Sequence, residues 1–269
     1  MTAPVIHSLN CGTMCSRAAT ALGVVDKDPG HLVAHCLLIE SSAGLILIDT
    51  GFGTADIADP KRLGLARRLT APVLDPAETA IAQIRAMGHD PGDVTHILTT
   101  HLDLDHAGGL SDFPTAEVHV HSSELQAART RPLDTRLRYR PAQWQHNPRW
   151  CEHDTDGEAW FGFDRVRLLE NIGIEIAMIA LPGHTVGHSG YAIDTGSGWL
   201  VHCGDAFLHR GEIETPAQTT AGRRLYHRIN AADSSLRQAN ADRLADLVRE
   251  RGDQVSLLCS HDPVQFAAR

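Results

Sequence analysis

The stretch His101-Leu-Asp-Leu-Asp-His-Ala-Gly-Gly109 carries the reading of the whole chain. Four potential metal ligands, at 101, 103, 105 and 106, alternate with leucines and run into a glycine turn. In an extended segment alternate side chains face the same way. His101, Asp103 and Asp105 therefore point together, and His106 joins them as the chain turns. Leu102 and Leu104 give the opposite face something apolar to bury, which argues against a merely solvated polar loop. Carboxylates crowded beside imidazoles call for a cation.

Working outward, three later segments each place one more ligand type just past an apolar run. They are Pro182-Gly-His-Thr-Val-Gly-His188, Gly204-Asp205 and Ser260-His-Asp262. Each is weak alone, because a histidine after a glycine is more often a turn residue. The apolar runs before them, 174–180, 199–203 and 255–259, read as strands, as does 95–100 ahead of His101. Residues 35–40 and 45–48 flank Ser41-Ser-Ala-Gly44 and read as a hairpin ending in Asp49-Thr-Gly51. Asp75, Pro76 and Glu78 have the pattern of a helix start, with Ile81, Ile84 and Met87 on one face until Gly88. A last helix starts at Asp233 and sets Leu236, Leu244, Leu247 and Val248 on one face before Gly252. Hairpins mixed with amphipathic helices indicate an α/β (α+β) protein whose sheets are covered by helices. The ligands gather at one sheet edge, where loops on a rigid scaffold carry chemistry.

Composition narrows the function. The chain has 269 residues and 42% hydrophobic residues, enough for a full-sized core in one domain spanning 1–269. A formal charge of -9 disfavours nucleic acid as a partner. No apolar run approaches the roughly 20 residues of a membrane span, and no basic-then-apolar leader is visible, so the expectation is a cytoplasmic protein without a membrane partner. Six dispersed cysteines form no zinc-ribbon pair and read as small buried hydrophobes, with Cys11 and Cys15 an outside candidate for redox pairing. Seventeen histidines are the anomaly, since imidazole is the commonest metal ligand.

Taken in order, the four segments resemble the metallo-β-lactamase superfamily, whose signature is HxHxDH, then a histidine in a TPGHT-like turn, a bridging aspartate and a last histidine. Residues 45–51 are similar to its early strand and DTG turn. HLDLDHAGG and PGHTVGH look most like the N-acyl-homoserine lactonase and glyoxalase II branches. The resemblance implies a four-layer αββα sandwich. It also implies two divalent metal ions, zinc first with iron or manganese as alternatives. His101 and His184 would hold one ion, Asp105, His106 and His261 the other, and Asp205 would bridge them. The implied reaction is attack by a metal-bridging hydroxide on an ester, lactone or thioester, with Asp105 and Asp205 at the catalytic centre.

The chain departs from the pattern at Asp103, where most hydrolases of the family have histidine. Either Asp103 is a hard oxygen ligand favouring iron or manganese, or its shorter side chain misses the metal and weakens that site. A glutamate there is typical of the family's di-iron, oxygen-reducing branch, so a redox enzyme stands as an alternative, beside a catalytically silent binding protein and, further back, a nuclease.

Other residues bear on substrate and support. Asp49 is a candidate to orient a ligating histidine, while His188 and His202 read as structural. Cys203 and Cys259 each precede a presumed ligand by two residues, with packing the better explanation. Residues 122–164 have weak periodicity and read as a lid or insertion. Between 129 and 149 six arginines face one acid, Asp134, with Tyr139 and Trp144 interleaved. Arginine suits carboxylate and phosphate, so Arg138, Arg140 and Trp144 are candidates to contact a small, anionic substrate, a solvated face or a homodimer surface being the alternatives. The lactonases place a tyrosine three residues after the bridging aspartate. Here that position is Leu208, leaving His209 or Tyr226 as substitutes.

Overall fold

The structure is a computed structural model that describes residues 3–130, 138–154 and 156–269. The described residues form two mixed six-stranded sheets. The first contains β1 (Val5–Asn10), β2 (His35–Ser41), β3 (Gly44–Ile48), β4 (Val94–Leu98), β5 (Glu117–His121) and β6 (Arg149–His153), in that spatial order. The second contains β7 (Glu158–Trp160), β8 (Phe163–Leu168), β9 (Ile176–Ala180), β10 (Ser189–Asp194), β11 (Trp199–His202) and β12 (Val255–Leu258), with β12 outermost beside β11.

Strand alternation builds the layers. In β2, Leu37 and Ile39 point to the space between the sheets, where they meet Ile46, Ile48, Ile176, Met178, Tyr191 and Ile193. Leu38 points the other way, into a core shared with Leu47, Ile97, Val118, Val120, Ile84 and Leu125. On the far side of the second sheet Ile179, Ala192 and Val201 pack against Leu244 and Leu247. These leucines lie on the long helix Ser234–Arg251, whose Asp233 cap accepts from Ser235 N and Leu236 N. The result is a four-layer αββα sandwich with apolar material at all three interfaces. Each large aliphatic side chain buried there contributes about 1.5–3 kcal/mol.

Local expectations needed three corrections. Residues 75–87 do not form one helix: Asp75 caps a short 3-10 turn, Pro76–Glu78, and Thr79 then caps a separate helix, Ala80–Ala86. The Glu78 carboxylate does not close a capping box; it accepts from Thr13 N at 2.7 Å and from Thr13 Oγ1 at 2.5 Å. In the last helix Leu236 is exposed, and Arg237, Asn240 and Ala241 share the buried face with Leu244 and Leu247. Residues 122–164 hold more regular structure than their weak periodicity predicts, namely the helix Ser122–Thr130, β6 and β7. Arg131, Asp134 and Arg136 lie outside the described residues.

The ligand segments leave four strand ends, one in the first sheet and three in the second. His101 follows β4, His184 follows β9, Asp205 follows β11 and His261 follows β12. Gly204, with φ of 54°, makes the turn into Asp205; a Cβ there would lie 2.5 Å from His188 Nε2. Only glycine fits so close an approach.

Candidate metal centre

Leu102 and Leu104 enter two apolar clusters, which turns His101, Asp103 and Asp105 to the opposite side as alternation requires. His106 N and Ala107 N both donate to Asp103 O, at 3.0 Å each, and this tight turn brings His106 in. Two groups of buried ligand atoms result. One is His101, His184 and Asp205, the other Asp105, His106 and His261; within each group the ligand atoms lie no more than 4.8 Å apart.

The imidazoles are aimed from behind. Asp49 Oδ2 accepts from His106 Nδ1 at 2.8 Å, and the same carboxylate accepts from Thr100 N at 2.8 Å and Thr100 Oγ1 at 2.7 Å. His261 Nδ1 donates to Val33 O at 2.8 Å, and His101 Nδ1 lies 2.9 Å from Thr100 Oγ1. Nε2 of all three rings therefore faces the centre. His188 holds the Asp205 turn, lying 3.0 Å from Leu181 O through Nδ1 and accepting from Asp205 N at 2.8 Å through Nε2. His202 Nε2 lies 2.8 Å from His35 O. Both are structural, as their settings suggested.

Several of these inward atoms have no hydrogen-bond partner although buried: His101 Nε2, His106 Nε2, Asp103 Oδ1 and Asp205 Oδ1. Buried polar groups are ordinarily satisfied, so convergent orphans of this chemistry fit divalent cations. The electrostatics agree. Burial depresses His106 and His261, yet Asp205 and neighbouring carboxylates overcome it and raise them to about 10 and about 9. The same histidines hold Asp205 well below the usual carboxylate range against its burial. This is a site whose negative charge requires a positive partner.

Asp103 has acquired one from the protein. Its Oδ2 lies 3.1 Å from His184 Nε2 and 3.4 Å from His101 Nε2, while Arg138 Nη1 reaches it at 2.5 Å. Arg138 Nη1 is also 3.0 Å from His184 Nε2, and its Nη2 donates to the Asn230 carbonyl. Burial and the Arg138 charge together lower His184 to about 4. An aspartate in place of the neutral histidine lowers the charge of the site by one unit, and Arg138 returns it.

A cavity of about 450 Å³ opens on these groups. Asp103, Asp105, Asp205, Arg138 and Tyr226 form its polar end, and Met14, Val24, Val25, Leu32, Leu69 and Ile229 much of its wall. Of the five residues expected to meet substrate, Arg138 and Tyr226 line it. The other three do not. Arg140 packs its guanidinium over Gly64, Trp144 packs against the helix-side core, and His209 Nε2 turns to Asp26 Oδ2 at 3.0 Å. Glu124, not anticipated, ties two ligand loops together: its carboxylate accepts from Leu102 N at 3.0 Å and Gly187 N at 3.2 Å. Cys203 and Cys259 are packed in the core under the long helix. Cys11 is buried and Cys15 exposed, both unbridged.

The Lactamase_B domain model, described as the metallo-beta-lactamase superfamily, matches residues 29–248. The chain belongs to the metallo-β-lactamase superfamily. With that membership come the αββα fold and a metal-dependent hydrolytic role. The chain is 41% identical over 259 residues to a probable metallo-hydrolase of Mycobacterium tuberculosis, covering 96% of this chain and 80% of that one. It is 38% identical over 94 residues to an N-acyl homoserine lactonase of Agrobacterium fabrum, covering 35% and 36% of the two. Among solved superfamily structures, an N-acyl homoserine lactone hydrolase with the product N-hexanoyl-L-homoserine at its catalytic metal centre superposes with a TM-score of 0.73. That match has 21% identity and covers 100% of this chain and 97% of the other. No helix among the described residues is long and apolar enough to cross a membrane.

Proposed function

We propose that the protein hydrolyses acyl lactones, an N-acyl homoserine lactone being the leading candidate, at a centre of two divalent ions, zinc first. The observation that carries this reading is the mostly apolar cavity ending on the ligand cluster, which suits a ring ester bearing a hydrocarbon acyl chain. His101 and His184 would hold one ion, Asp105, His106 and His261 the other, with Asp205 between them. Divalent ions there supply a lowered pKa for water and polarisation of an ester carbonyl.

The chain's own groups do the rest. The apolar wall takes the acyl chain and excludes water. Tyr226 keeps its phenolic proton, because burial and the nearby Asp205 raise its pKa; its hydroxyl accepts from Asn230 Nδ2 at 2.9 Å and remains able to donate to a substrate oxygen. It takes the place proposed for the missing tyrosine after Asp205. Arg138 can meet an amide or carboxylate oxygen of the substrate while holding Asp103. That engagement of Asp103 weakens the motive for the oxygen-reducing alternative, and the 41%-identical relative is named a probable metallo-hydrolase.

The test is a panel of acyl lactones and aryl esters assayed with zinc-reconstituted protein, alongside Asp105→Asn and His106→Ala. Ring opening by the parent and its loss in both variants is expected. A parent that hydrolyses none of them but consumes oxygen with an electron donor would overturn the reading.

A further inference from the structure

A second group of ligand side chains lies away from this centre, on the inter-sheet face of the first sheet where β4, β5 and β6 run side by side. The parallel register sets His96 beside Glu117, His119 beside Cys151 and His121 beside His153. Alternation puts these residues on one face while Ile97, Val118 and Val120 fill the helix-side core. His96 Nδ1 is 3.1 Å from His119 Nε2 and 4.0 Å from Glu117 Oε2, and Cys151 Sγ is 3.7 Å from that same oxygen.

Tetrahedral zinc bound by nitrogen at about 2.0–2.1 Å, oxygen at about 2.0–2.2 Å and thiolate at about 2.3 Å separates its ligand atoms by about 3.3–3.6 Å. The ligand atoms of His96, Glu117 and His119 lie within 4.8 Å of one another, and Cys151 Sγ borders that trio at Glu117 Oε2, so binding would draw the four inward to reach those spacings. We propose that His96, Glu117, His119 and Cys151 form a zinc site distinct from the hydrolytic centre.

Two supports behind the ligands match what metal sites require. His119 Nδ1 is 2.8 Å from His153 Nε2, which fixes the ring and leaves Nε2 for the metal. Arg149 Nη2 donates to Glu117 Oε1 at 2.8 Å, leaving Oε2 turned to the cluster. Binding would displace the Cys151 thiol proton to solvent, and two neutral imidazoles, a carboxylate and a thiolate would balance the ion's charge.

The sulfur makes the site separable from the hydrolytic one, whose ligand atoms are nitrogen and oxygen. Chelated protein titrated with zinc should bind one more ion per chain than His96→Gln, with His119→Gln behaving alike. Cobalt in place of zinc should give a thiolate-to-metal charge-transfer band that Cys151→Ser abolishes. Both readouts are independent of any substrate. Equal zinc counts in the parent and in folded His96→Gln, or a cobalt form without a Cys151-dependent band, would overturn the site.

Discussion

The Arg138 guanidinium donates to the Asp103 carboxylate, Nη1 to Oδ2, at 2.5 Å. An acid that departs from the family's histidine is thus matched by a cation from another part of the chain. The same guanidinium sits 3.0 Å from a nitrogen offered to metal, His184 Nε2.

Arg138→Met removes the cation and keeps most of the stem. Zinc affinity at His101, His184 and Asp205 should then rise about tenfold, a fraction of the full interaction between unit charges a few ångströms apart. The freed Asp103 oxygen should also shift preference from zinc toward manganese. Competitive titration with a chromophoric chelator reads both, and unchanged affinity and preference would separate Arg138 from metal binding.

Asp49→Asn tests the support behind His106. The amide no longer holds Nδ1–H as a carboxylate does, so affinity for the ion at Asp105, His106 and His261 should fall about 10- to 100-fold. Excess zinc should restore the activity of the folded variant. Failure of excess metal to restore it would assign Asp49 another role.

The convergence of these side chains was legible because His101, Asp103 and Asp105 alternate with leucines that have cores to enter, and because His184, Asp205 and His261 follow apolar strands. Two partners were not legible. Arg138 reaches Asp103 across 35 positions, from a segment with no periodicity to say which arginine turns inward. Glu124 sits in the first turn of a helix, where a glutamate ordinarily faces solvent, yet it is buried between two ligand loops. The split at Thr79 was hidden for a related reason: Asp75 and Thr79 are both sound caps, and the Glu78 carboxylate between them is taken up by Thr13, a partner 65 positions away.

The cavity wall gives a chain-length prediction. Leu69 and Ile229 are largely exposed at its rim, so Leu69→Asp and Ile229→Asp should fold normally. Each methylene that loses an apolar contact forfeits up to about 0.8 kcal/mol. The ratio of kcat/KM for long-chain over short-chain acyl lactones should drop several-fold, chiefly through KM. An unchanged ratio would place the acyl chain elsewhere.

His35 links stability to pH. Burial, then His202 and Arg269, lower it to about 3, against about 6.5 in the unfolded chain. The unfolded state therefore binds the extra proton between these values, and stability falls as pH drops from about 6.5 toward 3, by at most about 1.4 kcal/mol per pH unit from this group. His35→Gln should flatten the acid side of a Tm-against-pH curve. An equally steep curve in the variant would place the acid sensitivity in other groups.

The central claim is that the converging ligands hold metal and that this metal opens an ester ring. The direct measurement is proton release from an acyl lactone in a pH-stat, made on one preparation as purified, after chelation and dialysis, and after zinc is returned, with metal counted at each stage. Release should track the metal bound at the hydrolytic centre, vanish in the chelated protein and come back with zinc, whereas Asp105→Asn should recover little. Undiminished lactone opening by folded, metal-free protein would contradict it.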